Sequence, residues 1–349
     1  MFVSIFDYIC RQNSIDLIRI FKPLFTIIMK RDKNIGLIGA GAWGKNHLRN
    51  LYNIGVLHSV LETSDKIIAQ RVKEFPDVKF VKDLDAFLKN DDLKGVVIAA
   101  PAELHYKLTK ASLLAGKDVL VEKPLALNVK EGEELVKLTK DNKKILMVGH
   151  ILQFHSAVLK LKEMIDSGEL GQIRYIYSNR LNIGKLRTEE NVLWSFAPHD
   201  ISLIIMFMNG EEPLRVEAHG GSYINKDIFD TTMTTMEFKN GVKTHVFVSW
   251  LHPFKEQKLV VVGSEKMVVF DDVSKEKLFI YPHKIKWEQG KIPVAEKADY
   301  ETIDIELKQP LEEELKHFAE CINTRKTPRT DGQEGLTVLR VLEQAQSKL

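Results

Sequence analysis

The stretch NIGLIGAGAWGKNHLRNL, residues 34–51, constrains this chain more than any other, because it joins an apolar strand to a helix through a turn with glycine at 39, 41 and 44. In such a turn the first glycine permits the tight bend, the second lets a pyrophosphate approach the backbone, and the third lets helix and strand pack together. Leu48 and Leu51 then share one face of the helix. Gly39, Gly41, Ala42, Trp43 and Gly44 are therefore candidates for holding a dinucleotide. The next strand, HSVLETS, ends at Glu62, 18 residues after Gly44, where a carboxylate would accept hydrogen bonds from the adenosine ribose hydroxyls. That charge would repel a 2′-phosphate, and no arginine follows it before Arg71. NAD is favoured over NADP on this ground.

Further on, LKGVVIAAPAELHYKLTKASLLAGKDVLVEKPLA reads as strand, loop, helix, strand, with Gly116 just past the helix, and KKILMVGH supplies another strand. Short apolar strands alternating with helices predict an α/β, doubly wound parallel sheet for residues 31–150. After His150 one helix, HSAVLKLKEMIDSGELG, gives way to β-rich text, with Asn240-Gly241 as a hairpin signal. Residues 151–349 should form an α+β domain with a large, mostly antiparallel sheet covered on one face by helices. The last helix, GQEGLTVLRVLEQAQSKL, could return to the first domain.

At 349 residues the chain suits two domains, and 44% hydrophobic with 28% charged residues is ordinary for a globular protein. A net charge of +2 gives no field that would recruit nucleic acid or a membrane surface. Cys10 and Cys321 form no metal or disulfide pattern, so a reducing cytoplasm is the simplest setting. The first 30 residues are apolar but interrupted by Asp7, Arg11, Asp16, Arg19 and Lys22, which argues against a membrane span, and no small-residue cleavage site follows. Two readings stay open for this extension: a translation start at Met29, or a helix docked on the body.

Two stretches carry polar chemistry. In VLVEKPLAL, the residues Glu122, Lys123 and Pro124 interrupt a strand end, where open α/β sheets bind ligands. A lysine there can hydrogen-bond a substrate hydroxyl and stabilise developing alkoxide charge. In ENVLWSFAPHDISLIIMF, the apolar run after His199 predicts a helix with His199 and Asp200 at its N-terminal end. An imidazole beside a cofactor cleft can take the proton of a carbinol as hydride leaves the same carbon.

The segments GLIGAGAWGKNHLRN, VVIAAPAELHYKLTKASLLAGKDVLVEKPLAL and VGHILQFHSAVLKLKEMIDSGELGQI together resemble the glucose-fructose oxidoreductase and inositol dehydrogenase (Gfo/Idh/MocA) family. The resemblance implies a Rossmann domain followed by an open-faced sheet domain that often pairs subunits, hence a homodimer or homotetramer. It also implies that Lys123 sits between nicotinamide and substrate, with Pro124 in a cis peptide, and that Pro101, His105 and Glu122 lie near the cofactor. His199 matches the histidine of the family's D-x-G-x-H, but here Ser195 replaces the aspartate and Ala197 the glycine. Gln153, Trp194, Ser195 and Asp200 are substrate candidates. No metal is required, since lysine and histidine supply the polar groups.

These readings converge on an NAD-dependent dehydrogenase acting on a secondary alcohol of a sugar or nucleotide sugar, with the 3-hydroxyl of UDP-N-acetylglucosamine or its uronate as a candidate. An inositol or simple sugar dehydrogenase is an alternative within the class. A non-catalytic NAD-binding sensor is the alternative outside it, and the presence of both Lys123 and His199 argues against that.

Overall fold

The computed structural model describes residues 32–184 and 186–349. The extension that the sequence sets apart, residues 1–30, lies outside the described residues.

Strand β1 (Ile35–Ile38), helix α1 (Gly44–Asn53), β2 (Leu57–Leu61), α2 (Asp65–Glu74), β3 (Phe80–Val81), α3 (Leu84–Leu88), β4 (Gly95–Ile98), α4 (His105–Leu114), β5 (Asp118–Glu122), α5 (Val129–Asp141) and β6 (Leu146–Gly149) alternate as the sequence predicts. The six strands pair in the order β3-β2-β1-β4-β5-β6, all in parallel. Every residue of β1, β4 and β6 is buried, because helices cover both faces of a parallel sheet. The order reverses between β1 and β4, and a crevice opens there at the strands' carboxyl ends.

The second domain begins with α6 (Ser156–Asp166), β7 (Ile173–Leu181) and α7 (Val192–Phe207). Its other strands are β8 (Arg215–Gly221), β9 (Thr231–Glu237), β10 (Lys243–Ser249), β11 (Glu256–Gly263), β12 (Met267–Asp271), β13 (Leu278–Tyr281), the separate ribbon β14 (Lys284–Glu288) and β15 (Ile292–Glu296), and β16 (Glu301–Thr302). Eight of them form one sheet, β16-β13-β12-β11-β7-β10-β9-β8, in which only the β7–β10 pair is parallel. The β9–β10 hairpin turns at Asn240-Gly241, with Gly241 at φ +84°. Positive φ is the conformation for which glycine carries no Cβ penalty.

Two C-terminal helices tie the halves together. Leu311, Leu315 and Phe318 of α8 (Pro310–Thr324) pack with Leu37, Leu48 and Leu51 on one side of the first sheet. Helix α9 (Gly332–Gln346) contributes Leu336 to the core on the other side, while its Val338, Val341 and Leu342 enter the core of the second domain. Among the described residues no helix is long and apolar enough to cross a membrane.

Candidate active site

The glycine turn is built as its spacing requires. A Cβ on Gly39, which has φ +90°, would lie 2.8 Å from the carbonyl oxygen of Ala99, and one on Gly44 would lie 2.1 Å from that of Gly39. Both positions are therefore fixed by close backbone packing. At Gly41 a Cβ would meet no protein atom within 4 Å, so the open side of the turn faces outward. That is the geometry a pyrophosphate needs for close approach. At the end of β2, Glu62 accepts the amide of Ala40 through Oε2 and that of Ser64 through Oε1, each at 2.9 Å. Arg71 also reaches this turn, its Nε donating to the carbonyl of Ala40 at 3.2 Å and its Nη1 pairing with Glu74.

Beside the turn lies a cleft of about 500 Å³, within the range of small-molecule sites. Its walls bring together Trp43, Pro101, His105, Glu122, Lys123, Ser195 and His199 from both domains. The Lys123–Pro124 peptide is cis, as the family resemblance implied. Lys123 Nζ donates to the backbone carbonyl of Ser195 at 3.0 Å, across the junction of the domains. Burial pushes the lysine below its usual pKa against the opposing pull of the Glu190 and Glu122 carboxylates. Glu122 Oε1 accepts from Trp43 Nε1 and lies against His47 Nε2, both at 2.6 Å, and its Oε2 accepts the Lys123 amide at 3.3 Å.

His199 is held well below the usual histidine pKa, first by burial and then by the positive charges of Lys123 and Arg180 and by His150. The ring therefore stands neutral, as a base must. Its Nδ1 and the Ser195 hydroxyl are buried without a hydrogen-bond partner among the described residues, so Nε2 is the ring nitrogen open to the cleft. A ligand in the cleft would therefore meet the ring through Nε2.

The sequence placed His199 and Asp200 at the start of a helix, and here the structure differs. Helix α7 begins at Val192, capped by Asn191 Oδ1 accepting the Trp194 amide, and continues through Pro198, so His199 lies in mid-helix. Proline is a natural first residue of a helix, which made a later start plausible. In the interior it removes one hydrogen bond and strains the preceding turn, and the apolar face on both sides holds this helix together.

Three of the substrate candidates lie away from the cleft walls. Asp200, 2% exposed, accepts Arg180 in a fork, Nε to Oδ2 at 2.7 Å and Nη2 to Oδ1 at 3.1 Å, and also the Ser178 hydroxyl at 2.6 Å. Gln153 Nε2 donates to Glu334 at 2.8 Å and to the Ser202 carbonyl at 3.2 Å, and Trp194 Nε1 donates to Gln346 at 3.0 Å. His105 does line the cleft, but its two ring nitrogens meet the carbonyls of Pro124 at 2.7 Å and Ala100 at 2.9 Å, bolting the loop after β4 to the cis-proline turn.

Arg180, Arg187, Glu190 and Gln257 also line the cleft, and the sequence reading did not single them out. For Arg180 a signal was present. Ile176, Ser178 and Arg180 alternate along β7 on its buried face, and an arginine in such a row needs a charged partner. Glu190 and Arg187 pair with each other at 2.6 Å on the segment before α7, where nothing local marks them.

With this geometry, fold and site define an NAD(P)-binding oxidoreductase. The family model described as "Oxidoreductase family, NAD-binding Rossmann fold" matches residues 33–150, and the model for the "GFO/IDH/MocA C-terminal domain" matches residues 158–269. The chain belongs to the Gfo/Idh/MocA oxidoreductase family. Among its relatives is the UDP-N-acetylglucosamine 3-dehydrogenase of Acidithiobacillus ferrooxidans, 25% identical over 87% of this chain and 93% of that protein. The myo-inositol 2-dehydrogenase of Thermotoga maritima is 24% identical over 87% of this chain and 92% of its own length. A solved structure of the Acidithiobacillus enzyme aligns with a TM-score of 0.79 at 24% identity, covering 90% of this chain and 97% of that one, a likeness of fold.

Proposed function

We propose that this protein is an NAD-dependent dehydrogenase that oxidises a secondary hydroxyl of a sugar or nucleotide sugar, or reduces the matching ketone. The observation that carries the reading is the meeting of Lys123 and His199 in one cleft beside the glycine turn, the first hydrogen-bonded to a backbone carbonyl and the second held neutral, its Nδ1 without a hydrogen-bond partner among the described residues. Gly39 to Gly44 and Glu62 would hold the dinucleotide, which supplies hydride acceptance when bound. Lys123 Nζ orients the reacting hydroxyl and stabilises negative charge on its oxygen. His199 Nε2 takes the hydroxyl proton, which requires the neutral ring to carry its own proton on Nδ1. The loop held by His105 and the side chains of Trp43 and Phe196 would flank a bound ligand.

The candidate substrate is UDP-N-acetylglucosamine or its uronate, oxidised at the 3-hydroxyl, and the similarity to the Acidithiobacillus enzyme supports it. An inositol is the second reading, supported by a relative of nearly equal identity. Reduction of NAD with a panel of UDP-sugars, free sugars and inositols separates these readings. The proposal fails if no polyol or sugar yields NADH while NAD still binds, which is the behaviour of a sensor.

For cofactor choice, Glu62→Ser removes the repulsive carboxylate, and NADP should gain on NAD by about tenfold in kcat/KM. A wild-type protein that already prefers NADP tenfold would assign the ribose end to Arg71 instead.

A further inference from the structure

Arg180 lines the cleft, and the chemistry described above gives it nothing to do. It stands on β7, is 7% exposed, and grips Asp200 through one edge of its guanidinium, Nε to Oδ2 at 2.7 Å and Nη2 to Oδ1 at 3.1 Å. Directly opposite on β11, Gln257, its amide turned so that Nε2 donates to Asp272 at 3.2 Å, accepts Nη1 at 3.3 Å. A guanidinium carries five N–H donors in a planar fork. Asp200 takes two of them and Gln257 one, so two meet no acceptor among the described residues. The edge formed by Nη1 and Nη2 together is distinct from the edge that holds Asp200. Asp200 lies behind the wall at 2% exposed, whereas Arg180 and Gln257 are part of it.

The acceptors that line the cleft are engaged. Glu122 Oε1 faces Trp43 and His47, and Glu190 pairs with Arg187 at 2.6 Å. Lys123 gives one N–H to the Ser195 carbonyl and keeps others to spare. Behind burial, the charge of Arg180 is among those that lower the pKa of both Lys123 and His199, which places it near that pair. We propose that Arg180 selects the substrate by charge, its free edge receiving two oxygens of a carboxylate or phosphate carried by the molecule whose hydroxyl meets Lys123 and His199. A planar fork matches such a pair of oxygens, and Asp200 and Gln257 fix the plane in which it is offered. The inference rests on the dehydrogenase reading for the hydroxyl and adds that the substrate is an anionic sugar, not a neutral polyol. Arg180 is a specificity-determining residue, and the reacting atoms are left to Lys123 and His199.

The test is calorimetric binding to the full-length protein with NADH present, so that no alcohol turns over. The probes are UDP-N-acetylglucosamine, its uronate, free glucuronate and myo-inositol. Wild type should prefer an anion to myo-inositol, and Arg180→Lys, which keeps a charge against Asp200 but loses the fork, should lower that preference about tenfold. A preference lost for the uronate and glucuronate but kept for UDP-N-acetylglucosamine identifies the carboxylate, and one lost for both UDP-sugars identifies the diphosphate. A preference unchanged in the variant, or myo-inositol bound as tightly as every anion, overturns the proposal. If Arg180→Lys does not fold, Arg180→Met combined with Asp200→Leu removes both charges together and takes its place. Should that fail too, a structure of the unmodified protein with its tightest anion decides, and an anion seated away from Arg180 overturns the proposal. Binding is read without turnover, so the two readings fail separately. Anions held through Arg180 with no NADH produced from any compound would strike the dehydrogenase reading alone, and oxidation of neutral polyols without an effect of Arg180 would strike this one alone.

Discussion

His199→Ala should lower turnover by about 10²- to 10⁴-fold while NAD binding changes little, because the variant loses the general base and keeps the glycine turn. The accompanying pH profile is the sharper test. Burial, Lys123, Arg180 and His150 all hold the imidazole well below its ordinary value, so it stays unprotonated through neutrality. Wild-type kcat should therefore be flat across neutral pH and fall only on an acid limb displaced below the usual histidine range. That limb should vanish in the variant. The same shift bears on stability. Between the ordinary histidine pKa and the lowered folded value, the unfolded chain binds a proton that the folded protein refuses, so stability falls as pH falls through that window. Replacement by alanine should flatten the acid side of the melting curve. An alanine variant that keeps most of its activity together with the acid limb would place the base elsewhere, with Lys123 the first group to examine.

Lys123→Met should cost roughly 10²- to 10³-fold in kcat, the size expected when one preorganised donor to a developing oxyanion is removed. Methionine has similar length and suits a buried wall, so folding should survive, and a melting temperature near that of wild type is part of the expected result. NAD affinity should again change little, since the residues that would hold the pyrophosphate lie at the glycine turn. If Lys123→Met instead raises only KM with kcat intact, the lysine binds substrate and transition state equally, and its role is one of affinity.

Most of the first domain was legible in the sequence because its signals are local. Gly39, Gly41, Gly44 and the strand ending before Glu62 lie in one continuous stretch, and the lysine beside the cis-proline follows a strand whose apolar run marks its burial. The second domain was legible as a mostly antiparallel sheet, but its helix α7 was misread at one end. Pro198 carries the local signature of a start, whereas the helix is set by burial of Val192, Leu193 and Ala197, residues whose contacts lie far away in the chain. Asp200 shows the same limit. A carboxylate beside a candidate base invites a functional reading, yet its partners Arg180 and Ser178 come from β7, some twenty residues away, and convert it into an internal support. Gln153 and Trp194 were drawn away from the cleft by Glu334 and Gln346 on the final helix, partners that no spacing rule connects to them.

The hydrogen bond from Lys123 to the Ser195 carbonyl reaches from the dinucleotide domain to the helix that carries His199, and it aims the ammonium across the cleft. Without substrate, the ammonium already has an oxygen partner, so the desolvated cation is not left bare and the two domains are held in register. The ammonium carries three N–H donors and the carbonyl takes one of them, so an incoming oxygen can accept another without breaking the tether. A deoxy analogue offers no such oxygen and, by excluding water, would leave the remaining donors without an acceptor. On the proposed dehydrogenase function, discrimination between a hydroxyl and its absence would then begin with donors already aimed in the resting state, before chemistry.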